Sequence, residues 1–203
     1  MSRAADLTTA FFARPTSWPL VLTGLLLAAW LIHRYGWLNP YQQQILMYVG
    51  IHIILTASLN LVNGYMGEFA VGHAAFMAVG AYVSSLITVR LFPFQAAPLL
   101  FPLALLVGSL AAGIVGLLVA FPSFRTRGDY LAIVTLALNM IVKSAIENLE
   151  VIGGPRGFLG MQRLTTLPWV VFWVISSLWL LRNFIYANLG RGVLAIREDE
   201  VAA

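Results

Sequence analysis

Asn60-Leu-Val-Asn-Gly-Tyr-Met-Gly-Glu-Phe-Ala-Val-Gly-His-Ala-Ala-Phe-Met-Ala-Val-Gly-Ala-Tyr-Val-Ser-Ser85 is the stretch that decides how this chain folds. One apolar run enters it and another leaves it, and between them sit Asn60, Asn63, Gly64, Gly67, Glu68, Gly72 and His73. Lipid offers no hydrogen-bond partners, so irregular backbone at membrane depth is tolerated only inside protein or beside a water-filled cavity. Broken helices of this kind are where transporters tend to place their pathways. The stretch therefore predicts an interrupted helix near 60–73, buried in a helical bundle and facing a pathway, with those polar and glycine residues as its candidate lining.

The remainder of the 203 residues is consistent with that setting. The chain is 60% hydrophobic and 10% charged, with a mean hydropathy of +0.86. A soluble domain is about half apolar and about a quarter charged. The composition is that of an integral membrane protein. The net charge of +4 does not point to nucleic acid, because the basic residues fall at the ends of apolar segments, where membrane topology accounts for them. The absence of Cys excludes disulfides, thiolate metal sites and Cys nucleophiles. No cleavable signal peptide is expected: the first fifteen residues are polar and mixed, and no Ala-x-Ala-like site follows the first apolar run.

A hydrocarbon core about 30 Å thick takes roughly 20 apolar helical residues. Six segments meet or approach that length: 18–38, 45–62, 69–92, 96–121, 130–146 and 168–181. The second and third are separated only by the glycine-rich break, as two spans or as one span and a re-entrant piece. The expected fold is an all-α polytopic bundle of about six transmembrane segments, a single transmembrane domain with no sheet. With a cytoplasmic N-terminus, the inner side holds Arg3, Arg14, Arg125, Arg127, Arg182, Arg191 and Arg197. The outer side holds Arg34, Arg90, Arg156 and Arg163, with Lys143 near it. That is a shallow positive-inside bias. Gly108, Ala112, Gly116 and Ala120 recur every fourth residue and let another helix backbone come close. Trp18, Trp30, Trp37, Trp169 and Trp173 lie toward segment ends, where interfacial aromatics belong.

Each candidate site residue has a structural alternative. His73 would serve as a base or a ligand, but metal sites need several ligands, and His33 and His52 lie in other segments. Neither His-Glu-x-x-His nor Gly-x-Ser-x-Gly is present. A histidine hydrogen-bonded to tie the break to a neighbour is the favoured reading, since a buried polar group needs a partner. Glu68 is the one acidic residue between Asp6 and Asp129. It has two compatible readings, lining a pathway and capping a helix beginning at Phe69. Asn60 and Asn63 have the same double reading. Lys143 and Glu147, four apart, are expected to pair locally. Gly128 supplies a bend into the fifth segment, with Asp129 at its N-cap. Gly153-Gly-Pro-Arg-Gly157 is a loop breaker without phosphate-loop spacing. At the end of the chain, Gly190 and Gly192 are expected to turn it away from the sixth segment. Val193, Leu194, Ile196 and Val201 then alternate with Arg197, Glu198, Asp199 and Glu200 in a short amphipathic helix, suited to a membrane surface or a protein partner.

Three stretches together resemble the permease subunits, of the LivM type, of ATP-binding-cassette importers for branched-chain amino acids. The first is Asn60 to Tyr82, with Gly72-His-Ala-Ala-Phe76 and Gly80-Ala-Tyr82. The second is Arg125-Thr-Arg-Gly-Asp-Tyr-Leu-Ala-Ile-Val-Thr-Leu-Ala137, with Gly153-Gly154 downstream. The third is Gly190-Arg-Gly-Val-Leu-Ala-Ile-Arg-Glu-Asp-Glu-Val-Ala-Ala203. The resemblance implies a non-enzymatic membrane subunit without cofactor or metal, in a bacterial inner membrane. It implies as partners cytoplasmic ATP-binding subunits, a second, LivH-like permease and a periplasmic substrate-binding protein. It also implies an ATPase-docking role for Gly190, Arg191, Ala195, Arg197, Glu198, Asp199, Glu200, Ala202 and Ala203, in a coupling helix (190–203) that is expected to be incomplete because the family continues beyond it. Glu68 departs from the pattern, where a small or hydroxyl residue is expected. A permease for urea or short amides, a secondary transporter or channel, and a membrane enzyme are the alternative readings. The docking motif argues against the second, and the lack of a clustered His, Asp or Ser constellation against the third.

Overall fold

The computed structural model describes residues 18–91, 97–123, 129–161, 163–188 and 190–193. Among them are six long α-helices: α1 (Trp18–Tyr35), α2 (Pro40–Asn60), α3 (His73–Arg90), α4 (Ala97–Ser123), α5 (Asp129–Asn148) and α6 (Leu167–Tyr186). One turn of π-helix (Leu61–Met66) continues α2, and two short 3₁₀ turns (Glu150–Ile152 and Gly154–Arg156) follow α5. No strand occurs among the described residues. The fold is an all-α membrane bundle, and each helix falls on one of the six apolar runs. Four stretches are long and apolar enough to cross a membrane: Pro40–Met66, Leu99–Phe121, Tyr130–Asn148 and Leu167–Tyr186. The other two helices have 18 residues each; α1 carries His33 and Arg34 in its last turn, and α3 begins at His73 and ends at Arg90.

The chain forms two compact units. One contains α1, α2 as far as Ala57, and α6. Its close contact comes from a glycine: a Cβ on Gly50 would lie 2.5 Å from a methyl of Val170 and 3.3 Å from one of Val174. Leu167, Val170 and Ile175 are buried in this unit, as is Ala29. Trp169, Phe172 and Trp173 run along α6 in edge-to-face contact, with centroids 6.1 and 5.6 Å apart. Trp173 is not the interfacial anchor expected of it. Its indole N–H is out of reach of water and has no acceptor among the described residues, whereas an interfacial Trp keeps that end wet.

The second unit runs from Ser58 to Leu164 and takes up the chain again at Asn188. Its centre is the packing of α3 on α4. A Cβ on Gly108 would lie 2.6 Å from the carbonyl oxygen of Gly80 and 3.0 Å from Cβ of Ser84. One turn further along, Gly80 faces Ala112, and Gly116 faces the ring of Phe76. The small-residue stripe of α4 thus seats α3, as its spacing predicts, with Ala104 fully buried. The opposite face of α4 is bare: Leu110, Leu117 and Leu118 are each more than 60% exposed. In water such a face would be an aggregation site. In hydrocarbon it is the ordinary lipid-facing side of a bundle helix.

Candidate functional site

The break lies wholly in the second unit. Gly67 ends the π turn with φ 74°, a left-handed conformation that glycine reaches without a side-chain clash. Residues 67–71 are non-helical, and α3 starts at His73 with Gly72 as its N-cap. The predicted interruption is present, but the helix begins four residues later than Phe69. Glu68 therefore does not cap it. Its backbone N–H donates to the carbonyl of Val62, 3.3 Å away, and its half-buried side chain makes no hydrogen bond or ion pair among the described residues.

Three groups of the non-helical backbone are held by polar side chains. The Val71 N–H donates to the hydroxyl of Thr135 at 3.0 Å, and the side-chain amide of Asn139 donates to the Val71 carbonyl at 3.1 Å. Thr135 is buried, and its hydroxyl proton is shared between the carbonyls of Leu131 and Ala132, each 3.0 Å away. Asn63 accepts the N–H of Ala70 through its side-chain oxygen at 3.2 Å. His73 Nε2 lies 2.9 Å from the hydroxyl of Ser58, joining the start of α3 to the end of α2 across the break. This is the tying role expected of the histidine. Glycines make the approach possible. A Cβ on Gly72 would lie 3.1 Å from the backbone oxygen of Thr135, and one on Gly64 would strike the Asn60 side chain. Thr135, Asn139 and Ser58 were not among the candidates read from the sequence. Their signal was the spacing of Thr135 and Asn139, four apart on one face of an apolar helix.

Beside the break is a cleft of about 470 Å³. Ala74, Ala75, Ala78 and Tyr82 of α3 form one wall, and Leu136, Asn139, Met140, Lys143, Ile146 and Glu147 of α5 the other. Gly154, Pro155 and Gly157 close one end. Gly153, at φ 91°, turns the chain into that loop, and any Cβ on it would strike the carbonyl of Gly157. Arg90 at the end of α3 donates to the carbonyl of Val151 at 3.0 Å and fixes the loop beside the helix end. Lys143 Nζ and Glu147 Oε1 are 3.9 Å apart, the expected local pair, with side chains 69% and 51% exposed. No group of three His, Asp or Glu residues capable of holding a metal occurs among the described residues.

Of the residues expected to dock a partner, Ala195, Arg197, Glu198, Asp199, Glu200, Ala202 and Ala203 lie outside the described residues. Gly190 is buried, and the Arg191 guanidinium donates to the side-chain oxygen of Asn188. The turn away from α6 does not fall at Gly190 and Gly192, which are helical. It falls at Ala187, which is extended with φ −71° and ψ 166°.

A helical bundle with an interrupted helix, its irregular backbone bonded at Val71 by side chains of a neighbouring helix, is an arrangement that membrane transport proteins use. Residues 41–203 match the family described as branched-chain amino acid transport system / permease component, and the chain belongs to that family. It is 32% identical to the high-affinity branched-chain amino acid transport system permease protein LivM of Escherichia coli (strain K12), over 75% of this chain and 43% of that protein. Identity is 31% to the corresponding Salmonella typhimurium protein, with the same coverage. A probable branched-chain amino acid transport permease protein LivM of Methanocaldococcus jannaschii is 26% identical over 77% of this chain and 56% of its own length. The chain thus spans about half the length of the curated relatives it matches. No solved structure matches it.

Proposed function

We propose that the chain is the membrane permease subunit of an ATP-binding-cassette importer that carries branched-chain amino acids across the bacterial inner membrane as a multi-pass protein. Family membership across 41–203 carries this reading. The interrupted helix supports it, with Asn60, Asn63, Gly64, Gly67, Glu68, Gly72 and His73 at or near the pathway. In this reading 1–203 is one permease domain, and 190–203 is the coupling segment. Gly190, Arg191, Ala195, Arg197, Glu198, Asp199, Glu200, Ala202 and Ala203 dock a cytoplasmic ATPase, which hydrolyses ATP. A second permease of the LivH type completes the pathway, and a periplasmic binding protein delivers substrate. The acidic run suits a protein groove better than anionic lipid, which attracts basic segments.

The test is uptake of labelled leucine by cells lacking their own branched-chain systems. They would express this chain with the ATPase, the second permease and the binding protein. Leucine accumulation that needs this chain and an intact ATPase is the expected outcome. Accumulation of urea or acetamide instead of leucine, or leucine uptake driven by an ion gradient with a dead ATPase, overturns the reading. Glu200→Lys is expected to abolish co-purification of the ATPase without reducing membrane insertion. Unchanged co-purification removes the docking role.

A further inference from the structure

The cleft between α3 and α5 has a chemistry that the interrupted helix alone does not explain. Its charged groups sit together: Lys143 and Glu147 occupy one helical turn, with opposite charges 3.9 Å apart. Below them the walls are apolar. Alanines and Tyr82 line the α3 side, the alanines leaving room, while Leu136, Met140 and Ile146 supply branched and flexible apolar surface from α5. From Glu147 to Asn139 is eight residues, or about 12 Å along a helix. The cleft therefore runs from a cation–anion pair at one end to Asn139 at the other. Asn139 also holds the carbonyl of Val71 at 3.1 Å, and Ala74 of the opposite wall comes just after His73. The cleft ends against the fastening of the break.

We propose that this cleft is a binding site for a free α-amino acid with a small branched apolar side chain. The α-carboxylate pairs with Lys143, the α-ammonium with Glu147, and the side chain lies between the alanines of α3 and Leu136 and Met140 of α5. An α-amino acid is a cation and an anion on neighbouring atoms with an apolar group beside them, and the cleft presents the complementary charges within one helical turn above an apolar wall. The volume of about 470 Å³ lies in the range of small-molecule sites, which are mostly apolar with a few polar groups fixing orientation. Lys143 and Glu147 are loosely paired and largely exposed, so exchanging their mutual contact for a ligand's two charges loses little. Met140 adapts its shape to branched side chains of different form. Bound there, the ligand rests on Asn139 and thereby on the residue that fastens the interrupted segment. The proposal deepens the importer reading and rests on it for the substrate class.

The chain contains no Cys, so a single introduced thiol reports on the cleft. Ala78→Cys, in the full chain in lipid nanodiscs, is alkylated with a maleimide with and without L-leucine. At a leucine concentration about ten times the dissociation constant, alkylation slows roughly tenfold, because only the empty fraction reacts. N-acetyl-leucinamide, which lacks both charges, gives no protection. Lys143→Ala and Glu147→Gln each remove the protection by leucine, and a control thiol at Leu110, 67% exposed on α4, reacts at one rate throughout. Ala74→Cys, on the same wall, gives the same pattern and replaces Ala78→Cys if that variant fails to fold. An unchanged rate with leucine at both thiols overturns the site, as does equal protection by N-acetyl-leucinamide. If leucine uptake by the assembled importer is established while both thiols stay unprotected there, the cleft is wrong and the importer reading stands. Protection by urea but not leucine overturns the proposed ligand, and the absence of leucine uptake decides separately against the importer.

Discussion

Val71 brings an N–H and a C=O into the interrupted segment, and both are taken by side chains more than sixty residues away, those of Thr135 and Asn139. A peptide group left unpaired at membrane depth has no water to turn to. Removing the Thr135 hydroxyl should therefore leave a fixed backbone donor without an acceptor. Such a loss costs about 1–3 kcal/mol in proteins generally, while interhelical side-chain bonds in bilayers average about 0.6 kcal/mol because the freed group finds another partner. Gly72 holds the two backbones too close for a water or a rotated side chain to enter, with only 3.1 Å from its would-be Cβ to the Thr135 oxygen. A cost above the bilayer average is therefore expected. Thr135→Val should lower unfolding stability in detergent by about 1–2 kcal/mol and speed hydrogen exchange at the Val71 amide, while Thr135→Ser should do neither. Equal stability and exchange in the two variants would show that the hydroxyl does not hold the segment.

At the scale of elements, α3 is held from two sides, by the small-residue face of α4 and by the polar spots of α5. The first was legible in the sequence because its period, every fourth residue, is the helix's own. What it could not name was the partner. Gly80 and Ser84 are defined as the opposite surface only once the backbones meet. The break was legible for a different reason: glycine and polar residues inside an apolar run have few uses in lipid. Its exact extent was not legible. A left-handed Gly67 and the Gly72 cap delay the helix to His73, and nothing in Phe69-Ala-Val announces that. The α5 partners showed only as two polar residues four apart, and what they bond was hidden for the same reason as Gly80, since pairing over long sequence separation leaves no mark of the partner. The helix contact makes its own prediction. Gly108→Ala places a methyl 2.6 Å from a backbone oxygen, which neither helix can rotate away, so α3 and α4 must separate. A loss of about 1–3 kcal/mol is expected, against less than about 0.5 kcal/mol for Leu110→Ala on the exposed face of the same helix. Thermal unfolding of the two variants side by side checks it, and comparable losses would place the packed face elsewhere.

For the molecule as a whole, the arginine bias is shallow, and topology rests better on length and ties. Arg90 reaches the carbonyl of Val151, so the end of α3 and the loop after α5 lie on one side of the bilayer, as the expected topology requires of both. From that loop the chain reaches Leu159, 76% exposed, and then enters α6, whose 20 residues span about 30 Å, one hydrocarbon thickness. A crossing of α6 puts Leu159 and Ala187 on opposite faces. With the N-terminus inside, Leu159 is external and Ala187 cytoplasmic, with Arg182 and Arg191 flanking the cytoplasmic end. A Cys-free background makes this directly measurable. Leu159→Cys should react with an impermeant maleimide in intact cells, and Ala187→Cys only after the membrane is opened. The reverse pattern would invert the whole bundle, placing 190–203 out of reach of any cytoplasmic ATPase. Reaction of both thiols from outside would mean that α6 does not cross, despite having the length and apolarity to do so.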